Sequence, residues 1–183
     1  MDVVAIYFSG GKAAMEQYVL AQHGVKLDEL AGESVDNAEA LLELEERKIV
    51  TVQLENSNWC VLLGEISLVF DEEKTGQSLS AASKGGEVMM IFEQDVTGAA
   101  WIEYHKDGQL RRKWVAIEGE LEANIGEPLN DFDAGKFGDE IDEDEGVPDI
   151  WEMVELAEGV TGIPWESLSA PGTVYQLPPE EAE

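Results

Sequence analysis

The densest run of potentially reactive side chains lies between Asp131 and Glu145, where eight carboxylates stand with one lysine. Carboxylates supply the hard oxygen donors that calcium takes, so the loop grammar is worth testing. Counted from Asp131, acids fall at positions 1 and 3, but Gly135 falls at 5, Lys136 at 6 and Asp142 at 12. An EF-hand needs Gly at the sixth position and a bidentate Glu at the twelfth, so the motif fails and no metal is assigned. His23 and His105 each lack a second His or Cys at ligand spacing, which argues against zinc. The single cysteine, Cys60, lies in the apolar run Trp59-Cys60-Val61-Leu62-Leu63 and is expected to be a buried, structural thiol. There is no Gly-x-Ser-x-Gly elbow, and no local pattern pairs a nucleophile with a base. No catalytic residue is assigned, and no enzyme is expected.

Phe8-Ser9-Gly10-Gly11-Lys12 follows a strand-like run and opens a helical one. Such a turn aims backbone N–H groups and a helix N-terminus at an anion. The segment resembles the phosphate loop of ATP pyrophosphatases, Ser-Gly-Gly-Lys-Asp-Ser, but Ala13 and Ala14 stand where that family has Asp and Ser. The resemblance implies a nucleotide-binding enzyme as one alternative. A Gly-mediated strand-to-helix turn is the expected reading, with no cofactor.

The elements that carry these residues belong to a chain of 183 residues with 40 Asp+Glu against 11 Lys+Arg, a formal charge of -29, and 44% hydrophobic residues. That apolar fraction supports a real core, and the length suits a single domain over 1–183. The negative surface repels phosphate, so direct nucleic-acid contact is not expected. No stretch reaches the roughly 18 apolar residues of a membrane span, and no basic leader precedes the first apolar run; a soluble, cytoplasmic, bacterial-looking protein is expected. The charge is concentrated: residues 118–183 hold 20 acids and one base, Lys136. Region 118–148 reads as an acidic, Gly-rich loop, too polar for core.

Val3–Phe8 reads as a strand, and Lys12–His23 as a helix with Ala14, Tyr18 and Ala21 on one face and Gly24 as its stop. Asp36–Lys48 is expected to be a second helix. Strands follow at Ile49–Leu54 and Trp59–Val69, joined through Asn56-Ser57-Asn58, with Gly64 marking a bulge or break. Ser78–Lys84 reads as a short helix. Glu87–Glu93, Ala99–His105 and Leu110–Ile117 form a meander whose second turn contains the favoured dipeptide Asp107-Gly108. The last of these strands is expected to be half-exposed, with Arg111-Arg112-Lys113 as the chain's basic cluster. Asp149–Glu158 is an amphipathic helix broken by Thr161-Gly162-Ile163-Pro164, and Val174–Leu177 is an edge strand. The sum is an α+β fold: an antiparallel sheet with helices packed mainly on one face, and an acidic loop or tail in the C-terminal third.

Trp151 and Trp165 flank the break after the acidic region; both are expected in the core, and if exposed they would form an anchor in a negative field. So concentrated a charge suggests a basic protein partner. The meander Glu87–Ile117, the acidic segment after it and the ending Leu156-Ala157-Glu158-Gly159-Val160-Thr161-Gly162-Ile163-Pro164 resemble the immunity proteins of bacterial toxin–immunity systems. The resemblance implies a non-catalytic protein that neutralises a cognate toxin inside the producing cell; it carries over no site residue. On charge, the expected contact residues are Asp139, Glu140, Asp142, Glu143, Asp144 and Glu145, with Trp151 beside them. A mimic of DNA that occupies a DNA-binding enzyme is the further alternative.

Overall fold

A computed structural model describes residues 3–37, 48–55, 57–94, 96–141 and 146–178. Among the described residues, nine strands form one antiparallel sheet in the order β2-β9-β3-β4-β1-β5-β6-β7-β8. The strands are β1 (Val3–Phe8), β2 (Gly32–Val35), β3 (Lys48–Gln53), β4 (Cys60–Glu65), β5 (Glu87–Gln94), β6 (Ala99–Lys106), β7 (Gln109–Ile117), β8 (Glu120–Ile125) and β9 (Gly172–Gln176). The α+β class and the antiparallel meander are as the sequence leads one to expect.

The middle strand explains the architecture. β1 is apolar at every position rather than at alternate ones, and a strand of that kind needs cover on both faces. Val4, Ile6 and Phe8 point into one core and Ala5 and Tyr7 into another. The first core lies under α1 (Gly11–His23), α2 (Ile66–Val69) and α3 (Thr75–Ala82). The second lies under α5 (Ile150–Thr161) and the turn of helix at Trp165–Ser169, with Phe137 at the end of α4 (Asp131–Lys136) packed into it. Helices therefore cover both faces, which corrects the expectation of one main helical face.

Helix limits follow local chemistry. α1 buries Ala14, Met15, Tyr18 and Val19, leaves Ala21 exposed, and ends at Gly24, whose φ of 69° lets its N–H reach the Leu20 carbonyl. α5 starts with a capping box: Asp149 accepts from the Trp151 and Glu152 N–H groups, and Glu152 accepts from Asp149 N–H. None of the helices among the described residues is long and apolar enough to cross a membrane.

Asp107-Gly108 makes the β6–β7 turn with φ of 52° and 77°, the two left-handed positions a type I′ hairpin needs. Glu118-Gly119 repeats the device, at 53° and 84°, and so starts a further strand, β8, inside the stretch read as a loop. The loop reading of 118–148 is corrected: β8 and α4 occupy much of it, and Asp133 and Phe137 are fully buried. Two more corrections concern strands. Gly64 is no bulge, since it pairs in regular register with Val4 and Ile49, and a Cβ there would stand 3.0 Å from Val69; the strand read over Trp59–Val69 does break just after it, ending at Glu65 where α2 begins. β9 is not at the edge, since it lies between β2 and β3. The helix expected over Asp36–Lys48 falls largely outside the described residues.

Candidate functional site

The acidic segment is fastened to the sheet by Arg112, the middle residue of the basic cluster on the strand expected to be half-exposed. Arg111 is exposed, but Arg112 is 1% exposed and clamps Asp133, with Nη2–Oδ1 at 2.8 Å and Nε at 3.1 Å from both oxygens. Nη2 also donates to the Phe137 carbonyl at 2.5 Å, and Nη1 donates to Asn124 Oδ1. Asp133 Oδ2 further accepts from the Leu129 N–H at 2.8 Å. Phe137 then packs edge-on against Trp114, with centroids 5.3 Å apart. This clamp fixes the start of the predicted contact surface. Gly138 O accepts from Trp114 Nε1, and Asp139 Oδ1 accepts from Asn124 Nδ2 at 2.8 Å. Asp139 and Glu140 are exposed; Asp142, Glu143, Asp144 and Glu145 lie outside the described residues.

Beyond that segment stands Trp151. It was expected in the core; instead it is 60% exposed, because the second position of α5 points away from the apolar stripe of Met153, Val154, Leu156 and Ala157. Its ring stands nearly perpendicular to Trp165, at 83° and 6.2 Å between centroids. Trp165 is half-buried and packs on the second core, so it acts as a floor for the exposed ring. Exposed carboxylates surround the pair in sequence and on the helix surface: Asp149, Glu155 one turn along, and Glu166. Lys136, the one base after residue 117, is held by Glu152 at 2.8 Å, which ties α4 to α5.

On the opposite face of the sheet a second polar group comes together that the sequence reading did not find. Trp101, Glu103 and His105 alternate on one side of β6, and Lys113 of β7 lies across from Glu103. Glu103 Oε1 accepts from Lys113 Nζ at 2.7 Å and Trp101 Nε1 at 3.2 Å. Its Oε2 is 3.0 Å from His105 Nε2, and His105 Nδ1 is 3.0 Å from Ser80 Oγ on α3. Glu103 and His105 are each 2% exposed. Burial alone would raise the Glu103 carboxyl, but the hydrogen bonds and charges of His105 and Lys113 outweigh it and hold it below its ordinary value. Lys113 Nζ also lies 4.2 Å from the Trp101 ring centroid. The group lines an open cavity of about 480 Å³ shared with Gly76, Gln77, Lys84 and Leu110. The signal available in the sequence was two ionisable residues at i and i+2 on a strand whose other residues are mostly apolar.

The remaining candidates are packed into the fold. Ser9 Oγ accepts from Glu87 N–H at 2.6 Å, and Gly11, at φ 64°, lies so close to Asn58 that a Cβ would meet its carbonyl at 2.9 Å. The Ser-Gly-Gly-Lys turn is thus packed into the sheet, with Lys12 facing Glu16 at 3.6 Å. Cys60 is 2% exposed beside Met15 Sδ, and burial pushes its thiol up to about 12. Among the described residues, no group of three or more His, Cys, Asp or Glu is placed to hold a metal ion.

A scan against protein-family models gives no match, and searches of curated proteins and of solved structures give none either.

Proposed function

We propose that this protein binds a basic protein partner through its acidic C-terminal face, and that it serves as an immunity protein that neutralises a cognate bacterial toxin in the cytoplasm. The observation that carries this reading is Trp151: a large aromatic side chain, 60% exposed and backed by Trp165, on a helix that also exposes Glu155, with Lys136 nearby already paired to Glu152. Trp is enriched, with Tyr and Arg, among interface anchors, and truncating such an anchor costs about 2 kcal/mol or more of binding. The surrounding negative field accelerates encounter with a cationic partner to as much as ~10⁸–10⁹ M⁻¹s⁻¹ at low salt and rejects acidic ones. Blockade of this kind needs no chemistry in the binder. The resemblance of the meander, the acidic segment and the Leu156–Pro164 ending supports the immunity assignment.

Capture of partners from the native cell at low and then moderate salt tests the reading. One cationic toxin-like protein, recovered stoichiometrically and lost on mutation of Trp151, is the expected result. Recovery of a DNA-processing enzyme would replace it with the DNA-mimic alternative. A partner that contacts the chain through an uncharged face remote from Trp151 would overturn both.

A further inference from the structure

The cluster over β6 goes beyond partner binding. An ionised Glu103 accepts hydrogen bonds and donates none, so the contact at Oε2 places a hydrogen on His105 Nε2. In the neutral ring Nδ1 is then a bare acceptor, and the hydroxyl 3.0 Å away, Ser80 Oγ, donates to it. Nucleophile, base and orienting carboxylate are thus in register, and the residue that would react, Ser80, is half-buried on the wall of the 480 Å³ cavity. Two ammonium groups, Lys84 and Lys113, line the same cavity in a protein whose net charge is -29. Lys113 is committed to Glu103, whereas Lys84 makes no ion pair with another described residue. A concave site with a hydroxyl nucleophile and a local positive field selects a small acyl ester that carries an anionic group.

We propose that Ser80 is an activated nucleophile, with His105 as its general base and Glu103 as the positioning residue, for hydrolysis of small anionic acyl esters. Ser80 Oγ adds to the acyl carbon as its proton passes to His105 Nδ1. The acyl–alkoxy bond then breaks, and the departing alkoxide takes the proton from Nδ1. Water next adds to the acyl-serine and gives a proton to Nδ1. The Oγ–acyl bond breaks, Oγ recovers that proton, and the carboxylic acid leaves. Glu103 stabilises the imidazolium in both halves, and Lys84, on the wall of the same cavity, supplies positive charge for the developing oxyanion. This site lies on the opposite sheet face from Trp151, so its failure leaves the docking proposal standing, and the reverse holds as well.

The test uses the full chain with a fluorophosphonate, which phosphonylates activated serines with loss of fluoride. The expected product is one adduct per chain, mapped by peptide mass spectrometry to Ser80 and absent in Ser80→Ala, a half-buried helix substitution that leaves the circular dichroism spectrum unchanged. Glu103→Gln is expected to slow labelling by about 10²–10⁴-fold. Should that variant unfold, Lys84→Met at an exposed position provides a second readout: the hydrolysis rate for p-nitrophenyl hemisuccinate relative to p-nitrophenyl butyrate falls about tenfold. Labelling no faster than that of the urea-unfolded chain, or adducts that persist in Ser80→Ala, would overturn the proposal and leave the cluster as a structural strut between α3 and the sheet.

Discussion

Arg112 and Asp133 form an ion pair closed off from solvent, 1% and 0% exposed, and through it the most acidic third of the chain is bolted to the meander. Removing one member of such a pair strands the other as a buried charge. Arg112→Ala is therefore expected to destabilise the fold by about 3–5 kcal/mol, or ~6–20 °C in melting temperature. The double variant Arg112→Met/Asp133→Leu should lose far less. Calorimetric melting of the three proteins checks this, and equal losses in the single and double variants would contradict it.

Trp151 contributes little to the core. Trp151→Ala should cost about 1 kcal/mol of stability, the worth of an edge-on aromatic contact, while partner affinity falls by about 2 kcal/mol or more. Denaturant melts set beside a binding titration separate the two effects. A stability loss as large as the binding loss would place the ring in the fold rather than the interface.

Neutralising Asp139, Glu140, Asp142, Glu143, Asp144 and Glu145 together, as Asn or Gln, removes charge without adding bulk. The expected outcome is slower association with a flatter dependence on salt, and an unchanged melting temperature. Stopped-flow association at two ionic strengths measures it. An unaltered salt dependence would take this segment out of the interface.

Tyr7 is buried, and its hydroxyl finds no hydrogen-bond partner among the described residues. Burial, with the Glu158 charge added, pushes its ionisation far up, so the group is a neutral phenol throughout the working range. Tyr7→Phe is expected to be neutral or stabilising by about 1 kcal/mol. A loss of that size instead would reveal a partner for the hydroxyl.

Glu103 ties stability to pH in a known direction. Its folded-state carboxyl ionises below its ordinary value of 4.5, so its contribution is complete above that pH and is lost as pH falls through the lower folded value. The stability of Glu103→Gln should therefore fall less steeply below pH 4.5 than that of the parent chain. Urea titrations at stepped acid pH would show parallel curves if Glu103 were not held ionised by Lys113 and His105.

Continuous apolar or alternating runs and turn dipeptides made much of the fold legible. The run Val4–Phe8 announces a strand, the Gly24 and Gly162 stops mark two helix ends, and Asp107-Gly108 marks a hairpin, because each signal is contained within a few residues. What stayed hidden depends on partners far away in sequence. Nothing near Arg112 says that Asp133 will cover it, and without that pair the surrounding carboxylates read as loop. The run Val3–Phe8 fits one covered face or two, and only the packing of α5 decides. Ser80 lies 25 residues from His105, so their contact exists only once α3 lies across β6. Trp151 misled for the opposite reason: it opens an amphipathic helix, but at the one apolar position that the helix turns outward.

The place of β9 in the sheet bears on how the molecule is made. β3 pairs on its outer side with residues 173–176, and among the described residues β2 meets the rest of the sheet through β9 alone. During synthesis that flank lacks its middle member until residue 176 has left the ribosome, so a nascent chain halted before Gly172 exposes the outer margin of β3 as a sticky ribbon.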